Sequence, residues 1–89
     1  ADLYMADLSD ADLTDADLFA ADFEIANLEG ATLVDANLAG ANLYGADLSD
    51  ANLSKAYLYG ADLFDADLTD ANLSDANVDL QPPPTQTES

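Results

Sequence analysis

The side chains able to do chemistry in this 89-residue sequence are almost all carboxylates. Nineteen Asp and Glu stand against one base, Lys55, with no histidine and no cysteine. Paired carboxylates perform hydrolytic acid–base work only when their environments differ and they face a common cleft. Here they recur at even spacing in near-identical surroundings, as in ADLSD, ADLTD and ANLSD. Without His or Cys there is no imidazole base, thiol nucleophile, disulfide or zinc site. Gly30, Gly40, Gly45 and Gly60 are isolated and form no phosphate-cradling loop, and no Asp-x-Asp-x-Asp-Gly calcium loop occurs. The sequence therefore reads as non-catalytic, with no cofactor and no dedicated metal site.

The same acids restrict the partners. A formal charge of −18 repels nucleic-acid phosphates and anionic headgroups alike. It attracts basic protein surfaces and, diffusely, divalent cations. No apolar run approaches the roughly 20 residues that cross a bilayer, so no membrane insertion by this segment is expected. No signal-peptide pattern is present either. Ala1 stands inside a repeat without an initiating Met, which points to a segment excised from a larger chain; the compartment stays open.

What positions these side chains is a period of five. Ala recurs at every fifth position from Ala1 to Ala76, and two residues after each comes a large apolar residue. Fourteen of these sixteen are Leu, the others being Phe23 and Val78. Between Ala and Leu stands Asp or Asn, except at Thr32 and Tyr57. An α-helix, repeating every 3.6 residues, would smear the leucines around its circumference, and a plain strand drifts against five as well. An extended piece followed by a turn, repeated, winds the chain around an interior that takes Ala and Leu.

The units ADLSD, ADLTD, ANLEG and ANLAG resemble the pentapeptide repeat family, and the likeness runs from Ala1 to Leu80. That resemblance implies an all-β solenoid, a right-handed quadrilateral β-helix with four repeats per coil. Sixteen repeats then make four coils over 1–80, and the expected core includes Leu3, Leu8, Leu13, Leu18, Phe23, Leu28, Leu43, Leu48, Leu63 and Leu68. Residues 81–89 carry Pro82, Pro83 and Pro84, which cannot join a ladder, and read as an extended tail. Solenoid ends need covering, so end-to-end or side-by-side self-association is open.

Residues twenty apart then fall in columns, and the outward positions sort by side. Face one (1–5, 21–25, 41–45, 61–65) displays Tyr4, Glu24, Tyr44 and Phe64, with Met5 and Ile25 at its edge. Face two (6–10, 26–30, 46–50, 66–70) displays Asp7, Asp10, Asp47, Asp50, Asp67 and Asp70, together with Glu29. Face three (11–15, 31–35, 51–55, 71–75) carries Asp12, Asp15, Asp35, Asp75 and Lys55. Face four (16–20, 36–40, 56–60, 76–80) shows Phe19, Tyr57 and Tyr59. The expectation is a two-sided rod, with an acidic wall on faces two and three. Tyr4, Phe19, Tyr44, Tyr57, Tyr59 and Phe64 form the candidate interaction surface on the other side. Of the two accounts of the aromatics, stacking within the rod is favoured over a docking surface.

Three functions follow. The first is a structural or protein-interaction module with an unidentified protein partner, a reading the family resemblance supports because such repeats abound in cyanobacteria and mostly lack a known activity. The second, also implied by the resemblance, is DNA mimicry towards gyrase-like proteins; the relatives that do this are longer, dimeric and helix-capped. The third is a passive spacer.

Carboxylates one coil apart, such as Asp50 over Asp70, repel by roughly 0.9 kcal/mol in water before screening. Added salt at about 0.5 M should therefore raise the melting temperature above its value in dilute buffer at pH 7. A melting curve indifferent to salt would show that the acidic columns carry no appreciable strain.

Overall fold

A chain whose inward side chains return every fifth residue can satisfy its backbone only by leaning each circuit against the next. The computed structural model describes residues 2–77, and that pairing runs throughout. Second-position residues form parallel bridges with the residue twenty places on: Asp2 with Asp22, Asp22 with Asn42, and Asn42 with Asp62. Three further columns start at Asp7, Asp12 and Asp17 and descend in the same steps to Asp67, Asn72 and Asn77. Four repeats thus complete one circuit, each repeat forming one side. The expected fourth coil runs to Leu80, but Val78 to Leu80, like Ala1 and the expected tail 81–89, lie outside the described residues.

Each repeat of the two inner levels sends its backbone groups to both neighbouring levels, and those of the outer levels to the one described neighbour. The central residue donates downward, as Leu3 N–H does to the Asp22 carbonyl at 2.7 Å. The second residue donates upward, as Asn27 N–H does to the Ala6 carbonyl at 2.9 Å. The fifth donates downward, as Met5 does to Glu24 at 3.0 Å. The next repeat's Ala closes the corner onto the central residue, as Ala6 does to Leu3 at 2.9 Å.

That corner bond defines a four-residue turn whose third residue is the fifth of the repeat. All fifteen such residues from Met5 to Asp75 have positive φ, between 58° and 73°. A left-handed φ at the third turn residue alone is the mark of a type II turn. Asp and Gly dominate the position because they tolerate it best. Gly30 meets a second demand as well, because the Asp10 carboxylate lies where a Cβ on residue 30 would stand. Ile25 is the exception, a β-branched residue at φ 60°, seated against the open Cα of Gly45.

Inside, Ala and the central apolar residue alternate around the circuit. From Ala21 to Leu58 none of them is more than 1% exposed. Phe23 takes a leucine's place without leaving the interior. Burying each such leucine is worth about 2 kcal/mol. The expected core therefore divides. Phe23, Leu28, Leu43, Leu48 and Leu63 are buried, whereas Leu3, Leu8, Leu13, Leu18 and Leu68 are half-buried and pack against that core. The physical reason is one-sided cover: the first and last levels have a described neighbour on one side only.

Holding Ile25 in a left-handed conformation costs roughly 1 kcal/mol, and its half-exposed side chain recovers little by packing. Ile25→Asn should therefore raise the melting temperature. A lower one would show that the contact over Gly45 outweighs the backbone strain.

Candidate interaction surface

Four backbone N–H groups of each inner repeat enter the ladder or close the corner; the fourth residue's N–H points outward. The second residue's side chain takes it. Asp2 Oδ1 accepts from Tyr4 N–H at 3.2 Å, Asn42 Oδ1 from Tyr44 at 3.0 Å, and Asp62 Oδ1 from Phe64 at 3.0 Å. The same bond forms in every described repeat with Asp or Asn followed by its fourth residue, and is missing only where Thr32 and Tyr57 interrupt the pattern. Where the pair is Asp with Ser or Thr, the hydroxyl donates to the same oxygen. Ser9 does so to Asp7 at 2.8 Å, Thr14 to Asp12 at 2.7 Å, and Ser49 to Asp47 and Thr69 to Asp67 at 2.6 Å.

These bonds favour the charged form of their acceptors. The Ser9 backbone N–H, then its hydroxyl, hold the Asp7 carboxyl below its ordinary value of 3.8. For Asp12 and Asp67 the hydroxyl, of Thr14 and Thr69 respectively, leads and the backbone N–H follows.

The acidic wall accordingly has two origins. Asp7, Asp47 and Asp67 are turn acceptors; Asp10, Asp50 and Asp70 occupy the left-handed corners. Lys55 lies between Asp35 and Asp75 in the fifth-position column of face three, by the register of Thr32, Asn52 and Asn72. Among the described residues no cluster of acids has the arrangement to hold a metal ion, and no helix is long and apolar enough to cross a membrane.

The six candidate aromatics all project outward, from 37% exposed at Tyr44 to 65% at Phe19. Tyr4, Tyr44 and Phe64 share one fourth-position column with Glu24. Within it the Tyr44 and Phe64 rings stack, with centroids 5.7 Å apart and planes at 25°. On face four, Phe19 and Tyr59 share a column with Ala39, which sits between them and is only 8% exposed despite its outward position. Tyr57 belongs to a different column, between Asn37 and Asn77.

Two features go beyond what the sequence suggests. The second-position acceptor role has a signal there, since Asp and Asn bond the backbone two residues on in Asx turns. The two sides are also less distinct than the face map implies. Asp2, Asp22 and Asp62 hold turns on face one beside its aromatic column, so that side mixes rings with carboxylates.

Together these features define a four-sided β-solenoid in which turn chemistry fixes the second and fifth positions and leaves the fourth free. The chain belongs to the pentapeptide repeat family, whose profile matches residues 1–33, 16–54 and 41–79. That membership brings the right-handed quadrilateral β-helix as the family's fold. The structure is similar to that of a pentapeptide repeat protein from the cyanobacterium Cyanothece 51142, at 41% identity and a TM-score of 0.86, covering 88% of this chain and 53% of that one. It is also similar to a pentapeptide repeat protein from Nostoc PCC 7120, at 40% identity and a TM-score of 0.61, covering 84% and 62%. The chain therefore spans less than two thirds of either relative's length. Among curated proteins none is similar enough to count as a relative.

The lowered carboxyls set an acid limb. Folded values below 3.8 give stabilisation that is complete above 3.8 and is lost as pH falls through those values. Asn makes the same backbone bond at Asn27 and Asn52 without a charge. A triple Asp7→Asn, Asp12→Asn, Asp67→Asn variant should therefore fold normally and melt with a shallower loss below pH 4 than the parent. An unchanged acid limb in that variant would exclude these bonds as its source.

Proposed function

We propose that this chain is a non-catalytic protein-interaction module, its sixteen repeats forming four coils over 1–80, that docks a protein through its aromatic side. The observation that carries this reading is the segregation of exposed rings. Tyr4, Phe19, Tyr44, Tyr57, Tyr59 and Phe64 lie on two adjacent faces, and faces two and three carry no aromatic residue. Interface centres are enriched in Tyr and Phe, and clustered exposed apolar groups on a protein surface mark such sites. Stacking serves the fold at one pair, Tyr44 with Phe64; Tyr4, Phe19, Tyr57 and Tyr59 are left about half exposed. The whole-protein activity of the longer relatives is a separate matter, and membership of a repeat family says nothing of the partner.

The acidic faces act in this reading as a solubilising and steering field. They speed the approach of a basic partner and discourage end-to-end pairing of the open ladder edges.

The test is a combined Tyr4→Ser, Tyr44→Ser, Tyr59→Ser, Phe64→Ser variant compared with the parent by sedimentation and by partner capture. The expected result is loss of association with the fold retained in circular dichroism. If the variant melts earlier but associates as before, the rings serve stacking alone and the module reading falls.

A further inference from the structure

We infer that Glu24, set between Tyr4 and Tyr44, is a binding site for an arginine side chain on a cationic protein partner; this deepens the interaction reading above and rests on it. The starting point is position. Second-position carboxylates bond the turn backbone, and fifth-position ones occupy left-handed corners. Among the described acids only Glu24 and Glu29 occupy the fourth position, where the turn demands no particular side chain. Glu29 is exposed on the acidic face. Glu24 is half-buried, with Tyr4 one level above it and Tyr44 one level below in the same column.

The backbone beneath it is fixed at both ends. Glu24 N–H donates to Asp22 Oδ1 at 3.0 Å, and its carbonyl accepts from Met5 N–H at 3.0 Å. The Tyr44 ring is held by its stack on Phe64. Levels of a β-solenoid lie about 4.8 Å apart. A cation over the Glu24 carboxylate is then one level from each tyrosine, within the roughly 6 Å over which a ring face attracts it. The chain offers no cationic side chain of its own to this place, because its single basic residue, Lys55, is on face three.

A planar guanidinium suits this arrangement better than an ammonium. It can lie over one ring while its N–H fork engages the carboxylate in two hydrogen bonds. A net charge of −18 makes a cationic segment the complementary partner.

The test is nuclear magnetic resonance titration of the full chain with a blocked Gly-Arg-Gly peptide, with Gly-Lys-Gly and the uncharged citrulline peptide as comparisons. The arginine peptide should shift the Tyr4 and Tyr44 ring signals and bind more tightly than the lysine one; the citrulline peptide should leave them in place. Glu24→Gln should weaken arginine binding on the order of tenfold, the loss expected for one charged hydrogen-bonding partner. Asp50→Asn, which removes the same charge from face two, should leave it within about twofold, since a distant exposed charge acts only through a screened field. Equal weakening by the two variants, or shifts spread over faces two and three, would reduce the effect to the general acidic field and overturn the site. Absence of arginine binding, with partner association still abolished by the four-serine variant, would overturn this inference and leave the module reading standing.

Discussion

The structure depends on a single backbone donor that the ladder cannot use. In each five-residue unit the second and central N–H groups point to opposite neighbouring levels, the fifth pairs downward and the next Ala closes the corner. The fourth N–H faces outward at the turn, and a side chain two residues back must meet it or leave it to water. Asp and Asn have the right length to do so, which is why they fill the second position of thirteen of the fifteen repeats through Asp75. The repeat is thus a statement about hydrogen bonding as much as about packing. Ala and Leu fill the tube; Asp or Asn turns the corner.

From this follows a different view of the charge. Fifteen of the nineteen acids occupy the second or the fifth position, where turn geometry already favours Asp. Yet Asn serves the second position equally well, at Asn27, Asn37, Asn42, Asn52 and Asn72, and Gly serves the fifth at Gly30, Gly40, Gly45 and Gly60. The geometry explains where the carboxylates stand, and the preference for Asp over Asn or Gly sets their number. A surface charged through its turns repeats with the fold's own spacing, about 4.8 Å along each column. The positions of the carboxylates are thus accounted for by the fold alone, without any ligand to be matched.

How much of this is legible in the sequence depends on the position within the repeat. The first and third positions are unambiguous, because Ala and Leu at a fixed period of five admit one inside, and Phe23 falls in register with the leucines. The circuit of twenty rests on family resemblance; the bridges from Asp2 to Asp22 and onward give it physical form. The corner type is harder to see, although Asp or Gly at eleven of the fifteen fifth positions carries the usual signal for a left-handed residue. What hides it is company: Met5, Ala20, Ile25 and Lys55 adopt the same conformation and blur the pattern. The half-burial of Leu3 and Leu68 is not a property of any local segment. It depends on which levels have neighbours, and a periodic sequence is silent about that.

The fourth position is where the sequence carries information that the fold does not require. Its N–H is spoken for, but its side chain meets no demand from core, ladder or corner, so its identity is free to vary with the face. It does so in an ordered way. Faces two and three place Ser, Thr, Val and Glu29 there, while faces one and four place Tyr4, Tyr44, Phe64, Phe19 and Tyr59, with Glu24 and the covered Ala39 set among them. If outward rings served stability alone, stacking would gain equally on any face, and most columns would carry it. The rings instead gather on two adjoining faces, and only Tyr44 and Phe64 spend their contact on each other. Tyr57, like Thr32, displaces the turn acceptor, and the Tyr59 N–H is without that bond among the described residues. The Thr32 repeat loses the same bond without gaining a ring, so the loss alone is no signature; in the interaction reading proposed above, the ring at Tyr57 is what offsets it.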